Sequence, residues 1–470
     1  LVKKLELPLS ICPSDYPSGC SFILAIGRVK VNQRRLTAIG EGARICLRFL
    51  LYQKSVLDNG LRVITGAMPH TRAVCINIFI SAGSRYEGEE EAGTSHFIEH
   101  LCFKGTERRA TAREIAEAIE GVGGMLNAGT DKEFTVYWCK VARPQFPLAL
   151  DLTVDMLRHS RFDAQDMERE RSVIIEEISE SMDLPQHRAS LLIDEVVWPN
   201  QPLGRDIAGS KETVGALSLE MLLGYLSRQY VPNNTVVSVA GDIGHEEVLS
   251  RMVEVLGDWA VANPHFPYPT EDHQQEAHMR IERRDTEQAH ICLAVRGLPV
   301  DHSDRFNLDL LNVILGEGMS SRLYQEIRER RGLAYDIHSY VDHFLDSGAL
   351  TIYAGVDPKN AADTIAVMIE VLSHLKEGVP DPELTKAKEL AKGRLLLRME
   401  DSRSVAGWLG GQELLTGQIR TVDEVASIID AINPQDLKRV ANQLLITEKL
   451  NLAIVGPVDG KDRLHSLLRL

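Results

Sequence analysis

No apolar run in this 470-residue chain reaches the ~18–20 residues needed to cross a bilayer, so no membrane span is expected. The sequence also lacks any CxxC pair. Its seven cysteines (Cys12, Cys20, Cys46, Cys75, Cys102, Cys139 and Cys292) are odd in number and scattered, and they read as reduced thiols of a cytoplasmic-type protein. There is no basic patch interleaved with aromatics, and a net charge of −15 repels nucleic acid. Gly316 and Gly318 do not sit in a strand–GxxxxGK[ST]–helix context, so a phosphate loop is rejected.

What remains is a globular composition, 44% hydrophobic and 25% charged, with a length that predicts about three domains of average size. The charge is uneven. Residues 1–50 hold eight Lys or Arg against three acids, and the remaining 420 hold 44 against 64. An acidic body of that kind favours cationic ligands or basic peptides. The basic segment 1–50 lacks helical or strand periodicity and is punctuated by Pro8, Pro13 and Pro17. It reads as a presequence, which would place the protein in an organelle matrix, as a disordered extension, or as a mis-assigned start; an initial Leu in place of Met fits the last. It is set apart from the fold.

From residue 51 the elements run in order and then run again. Tyr52 to Ile64 reads as a hairpin about Asp58-Asn59-Gly60, and Val74–Ile80, Phe134–Cys139 and Thr235–Asp242 read as strands among helical stretches. The Pro-rich stretch 261–278 reads as a linker. Beyond it, His290–Arg296, Phe306–Leu315, Ala349–Gly355 and Leu450–Pro457 take the places of the strand at Val74, the helix after it, the strand at Phe134 and the strand at Thr235. The expected fold is α+β, with two tandem homologous halves (51–260 and 279–470), each a mixed or antiparallel sheet flanked by helices.

The first half carries His96-Phe-Ile-Glu99-His100. Histidines at i and i+4 lie about 40° apart around a helix, so both can bind one metal ion, and Glu99 points to the same side. This HxxEH arrangement reads as a zinc site with a built-in general base. Catalytic zinc usually takes three protein ligands and a water, so one ligand is still to be found. The helix predicted over 166–182 offers Glu168, Glu170, Glu176, Glu177 and Glu180. Glu170 and Glu177, two turns apart, share a face, and Ile174 and Ile178 would tuck Glu177 against the core; Glu168, Glu176 and Glu180 read as a solvated face. Cys102, close to His100, reads as a buried thiol rather than a ligand. Asn127-Ala128 follows a Gly-Gly break and leads into a strand, which reads as a sheet edge able to pair with an extended peptide.

His96 to Thr106, Leu126-Asn127-Ala128 and Glu170 to Glu177 together resemble the pitrilysin/insulinase family of zinc metallopeptidases, in its branch of mitochondrial processing peptidases and their bacterial relatives. The resemblance runs from Leu51 to the C-terminus. It implies a zinc-dependent endopeptidase with one Zn²⁺ per chain held by His96, His100 and Glu177, with Glu99 as general base and Glu170 as a supporting carboxylate at the catalytic site. It also implies that Asn127 and Ala128 bind substrate main chain, and that Arg328 and Tyr335 of the second half grip substrate and stabilise the oxyanion. The second half has no HxxEH and is expected to be catalytically silent. In two-part relatives the silent half of one subunit faces the zinc half of another and encloses a chamber. Carried over, this implies a homodimer acting on unfolded, basic peptides. Two other functions fit the same resemblance: a structural subunit like the core proteins of the respiratory cytochrome-bc complex, and a peptide-binding scaffold that keeps its zinc.

Overall fold

The computed structural model describes residues 52–470; segment 1–50 lies outside the described residues. Asp58-Asn59-Gly60, with Gly60 at φ 83°, turns strand β1 (Tyr52–Val56) back onto β2 (Arg62–Ala67) as an antiparallel hairpin. Strands β3 (Ala73–Ile80), β4 (Met125–Thr130), β5 (Thr135–Ala142) and β6 (Thr235–Gly241) complete a sheet of order β1-β2-β6-β3-β5-β4. Only β2 and β6 pair in parallel; every other pair is antiparallel. The nearly unbroken apolar runs of β3 and β6 follow from their central places, buried on both faces.

The second sheet repeats the scheme. Strands β7 (His278–Glu282), β8 (Ala289–Arg296), β9 (Ala334–His343), β10 (Gly348–Val356) and β11 (Leu450–Val455) lie in the order β7-β11-β8-β10-β9. Again one parallel pair, β7 with β11, begins an otherwise antiparallel sheet. The protein is therefore α+β, with two similar mixed sheets flanked by helices. β7 opens on His278, within the stretch read as linker. Its short, half-polar sequence His-Met-Arg-Ile-Glu gives little strand signal, and its pairing comes from β11.

The helices that matter to the site are α1 (Thr94–Cys102), α2 (Phe146–His159), α3 (Ala164–Asp183), α4 (Pro185–Val197), α5 (Arg305–Gly316), α6 (Ala361–Glu377) and α7 (Ser402–Thr416). Asp163 caps α3 by accepting from the Gln165 and Asp166 amides, and Met167, Glu170, Ile174 and Ile178 form its buried stripe. Pro185 stands at the first turn of α4, and Leu184 before it is extended, which breaks the chain sharply between the two helices.

Each sheet packs one face on helices of its own half and the other on a helix from the opposite half. Val405, Ala406 and Leu409 of α7 pack against Ile64, Phe79, Trp138 and Val236 of the first sheet. Ala189, Leu192, Ile193 and Val197 of α4 pack against Cys292, Ala294, Tyr353 and Ala453 of the second. Polar ties reinforce the exchange. Glu413 of α7 takes ion pairs from Lys54 and Arg62.

Residues 261–277 hold no helix or strand, yet they are anchored rather than loose. Arg85, 1% exposed, donates to the Tyr268 carbonyl at 2.9 Å and to Thr270 at 3.0 Å. The same guanidinium pairs with Glu133 in the β4–β5 turn and with Asp346 in the β9–β10 turn, and Glu133 accepts the Leu345 amide. One buried arginine thus joins both halves and the segment between them.

Candidate metal centre

Helix α1 starts without a side-chain cap of its own: Gly93, in the left-handed region at φ 96°, precedes it. The fully buried Glu87 carboxylate supplies the acceptor, taking the Gly93 amide at 2.8 Å and the Ser95 amide at 2.6 Å. Burial pushes Glu87 above the ordinary carboxylate value, although Ser95, Gly93 and Arg205 oppose the shift. Phe97, Ile98, Leu101 and Cys102 occupy the buried face of α1, leaving His96, Glu99 and His100 on the other side, towards α3 and β4. Cys102 is a free, buried thiol pushed up to about 11 by desolvation, consistent with a packing role.

His96 and His100 stand with ring centroids 4.6 Å apart and planes at 71°. Glu177 Oε2 lies 3.9 Å from His96 Nε2 and 3.4 Å from His100 Nε2. Among the described residues this trio is the one group of His, Cys, Asp and Glu whose donor atoms all fall within 4.8 Å of one another. Donors bound tetrahedrally to zinc at roughly 2.0–2.2 Å stand roughly 3.4 Å apart, so the trio matches three corners of such a site. Burial and the neighbouring His100 lower His96 to about 4, so it is neutral near pH 7 with a lone pair free for a metal. The donor set fits zinc.

Glu170 accepts a hydrogen bond from His100 Nδ1 at 3.1 Å, which turns the Nε2 lone pair towards Glu177. Its side chain is 7% exposed, whereas that of Glu177 is 43% exposed. The expectation that Ile174 and Ile178 tuck Glu177 against the core therefore needs correction. Those isoleucines are buried, but Glu177 leaves the buried stripe and opens onto a groove lined by Val173, Glu176, Glu180 and Leu184. Glu168, Glu176 and Glu180 are exposed, as their solvated-face reading requires.

Glu99 is held from the sheet: the Thr130 hydroxyl donates to its Oε2 at 2.6 Å. Burial raises Glu99 above the usual carboxylate range, while Thr130 and His100 pull it back. Thr130 ends β4, the edge strand of the first sheet, on which Asn127 is exposed with its Oδ1 accepting the Ala128 amide. Arg328 and Tyr335 lie in the second half, one on a π-helical turn and the other at the start of β9. Arg328 donates to the Tyr335 carbonyl at 2.9 Å and stacks between the rings of Tyr324 and Tyr335. Among the described residues, no hydrogen bond or ion pair joins either to the metal trio. Sequence reasoning gave no role to Lys104, Thr130 or Glu87. Period-two alternation from Ala128 could have pointed to Thr130, but no local signal marks Glu87.

Residues 62–211 match the model of the insulinase family, peptidase family M16, and residues 216–390 match that of the peptidase M16 inactive domain. A Bacillus subtilis protein named an uncharacterized zinc protease is 36% identical over 87% of this chain and 98% of its own. The chain belongs to the insulinase family, M16. Another M16-like relative, an uncharacterized zinc protease of Mycobacterium leprae, is 36% identical over 89% of this chain and 94% of its own. The M16 fold recurs in the crystal structure of a Helicobacter pylori protease, with a TM-score of 0.82 at 23% identity, covering 87% of this chain and all of that one. It recurs again in a chain of complex III2 from Candida albicans, with a TM-score of 0.77 at 19% identity over 89% and 100% of the two chains. Family and donor set together support a zinc metallopeptidase. The border between the two M16 models falls before β6, which the structure nevertheless places in the first sheet.

Proposed function

We propose that the protein is a zinc-dependent endopeptidase that hydrolyses unfolded or extended peptides, with Glu99 as general base. The observation that carries this reading is the convergence of His96, His100 and Glu177 beside a carboxylate that Thr130 holds in place. Zinc held by His96, His100 and Glu177 supplies Lewis acidity to the scissile carbonyl and to the attacking water. Glu99 takes a proton from that water as it attacks. Its raised pKa suits the next task, passing the proton to the leaving nitrogen. Glu170 keeps His100 in the tautomer that presents Nε2. The exposed edge of β4, with Asn127 and Ala128, adds the peptide as a further strand, backbone to backbone.

In this reading the halves 51–260 and 279–470 divide the labour. The second half supplies Arg328 and Tyr335 to substrate and oxyanion. In a homodimer that encloses a chamber, as in two-part relatives of the family, they would be supplied in trans. The acidic balance of residues 51–470 suits basic peptides. A purely structural role leaves the intact trio of metal donors without a purpose.

Metal analysis together with cleavage of an internally quenched, unstructured basic peptide tests the proposal. Zinc near one equivalent per chain is expected, with Glu99→Gln slowing turnover by roughly 10²–10⁴-fold while zinc is kept. Zinc bound without Glu99-dependent cleavage would favour a binding scaffold, and no zinc at all a structural subunit.

A further inference from the structure

We infer that Lys104 is a positioning residue of the metal centre, acting through Glu170 on His100; the inference rests on the zinc reading above. Lys104 Nζ lies 2.6 Å from Glu170 Oε1, while the other oxygen of the same carboxylate accepts from His100 Nδ1 at 3.1 Å. Lys104, Glu170, His100 and Glu177 therefore form a continuous line from the loop after α1 to the metal-binding atoms.

Two physical arguments give the lysine its task. The first is charge. Glu99, Glu170 and Glu177 bring three carboxylates around a site for one dication, and Glu170 is nearly buried. Among the described residues, Lys104 is the one lysine or arginine that forms an ion pair with any of the three. Its charge brings the formal balance of the zinc-loaded cluster to zero. A nearly buried carboxylate stripped of its cation is costly to hold in place and tends to turn away. That change would weaken its grip on the His100 ring.

The second argument is placement. Lys104 stands on backbone that cannot drift. Its amide donates to the Leu101 carbonyl at the end of α1, and Gly105, at φ 146°, packs so closely that a Cβ would meet the Ala110 carbonyl at 2.5 Å. Thr106 then donates to Asp155 of α2 at 2.6 Å, and the same wholly buried carboxylate receives Arg108 and Arg109. The side chain itself is 31% exposed, so the ammonium reaches Glu170 from the solvent side and can be replaced without opening the core.

The test is zinc affinity, measured on the full chain by competition with a chromophoric chelator, with apoprotein melting as the folding control. Lys104→Met is expected to weaken zinc binding about tenfold with little change in apoprotein melting, and Lys104→Arg to restore most of the loss. If the lysine acts through Glu170, Lys104→Met adds little further loss in a Glu170→Gln background. Unchanged affinity in Lys104→Met would overturn the inference, as would a full, additive loss in the double variant. Wild-type protein that binds no zinc would overturn the metallopeptidase reading itself, and this inference with it.

Discussion

The Thr130 hydroxyl donates to Glu99, and the Thr130 backbone supports the same carboxylate. Replacing Thr130 by Val keeps the shape and the backbone contact but removes the hydroxyl donor, which loosens a partly buried carboxylate. Such a bond to a charged group contributes about 1.5–3 kcal/mol, so Thr130→Val is expected to lower kcat roughly tenfold or more at unchanged zinc content. Steady-state kinetics alongside metal analysis would check this. At this scale the sequence was informative where chemistry is local. His96, Glu99 and His100 sit within five residues, and helix geometry alone turns them to one side. The third donor was narrowed only to a helical face, and the family resemblance singled out Glu177. Glu87, Thr130 and Lys104 act on α1 from other segments, and no spacing rule anticipates a contact set by tertiary packing.

At the scale of elements, α7 of the second half crosses the first sheet with no room to spare. A Cβ on Gly410 would come within 2.5 Å of the Phe79 ring and 2.9 Å of Ser238, and Phe79 is itself boxed in by Phe134. Alanine is the better helix former by roughly 1 kcal/mol, but overpacking a tight core costs roughly 1–3. Gly410→Ala is therefore expected to destabilise by about 1 kcal/mol net, read as a lower midpoint in urea denaturation. The strands β3, β5, β6, β8, β10 and β11 were visible in the sequence because central strands are rich in β-branched and aromatic residues. β7 and the cross-packing of α4 and α7 were not. An amphipathic stripe announces that a helix is buried, but it does not say against which sheet.

Across the whole molecule, the halves meet around a cavity of about 260 Å³ lined by Asp131 and Lys132 of the β4–β5 turn, Asp194 of α4, and Tyr340, Asp342 and His343 of β9. Burial pushes Asp342 up to about 6; Asp194 and Asp131 add to the shift, and Lys132 and His343 oppose it. The folded protein thus holds this proton more tightly than the unfolded chain does. The corresponding stability is fully present below the unfolded value near 4 and is lost as pH rises through about 6. Asp342→Asn is expected to stabilise the protein by roughly 1–3 kcal/mol at pH 8 and to have little effect at pH 4, a contrast that calorimetry at the two pH values would read. The exchange of helices between sheets has a further meaning for the chain as it is made. When β6 leaves the ribosome the first sheet has all its strands, yet the apolar face bearing Ile64, Phe79 and Val236 has no cover. That cover arrives only with α7, roughly 10–30 s later at about 5–20 residues per second. During that interval the nascent first half is a natural client for a chaperone, and a ribosome that stalls within the second half strands a sticky intermediate.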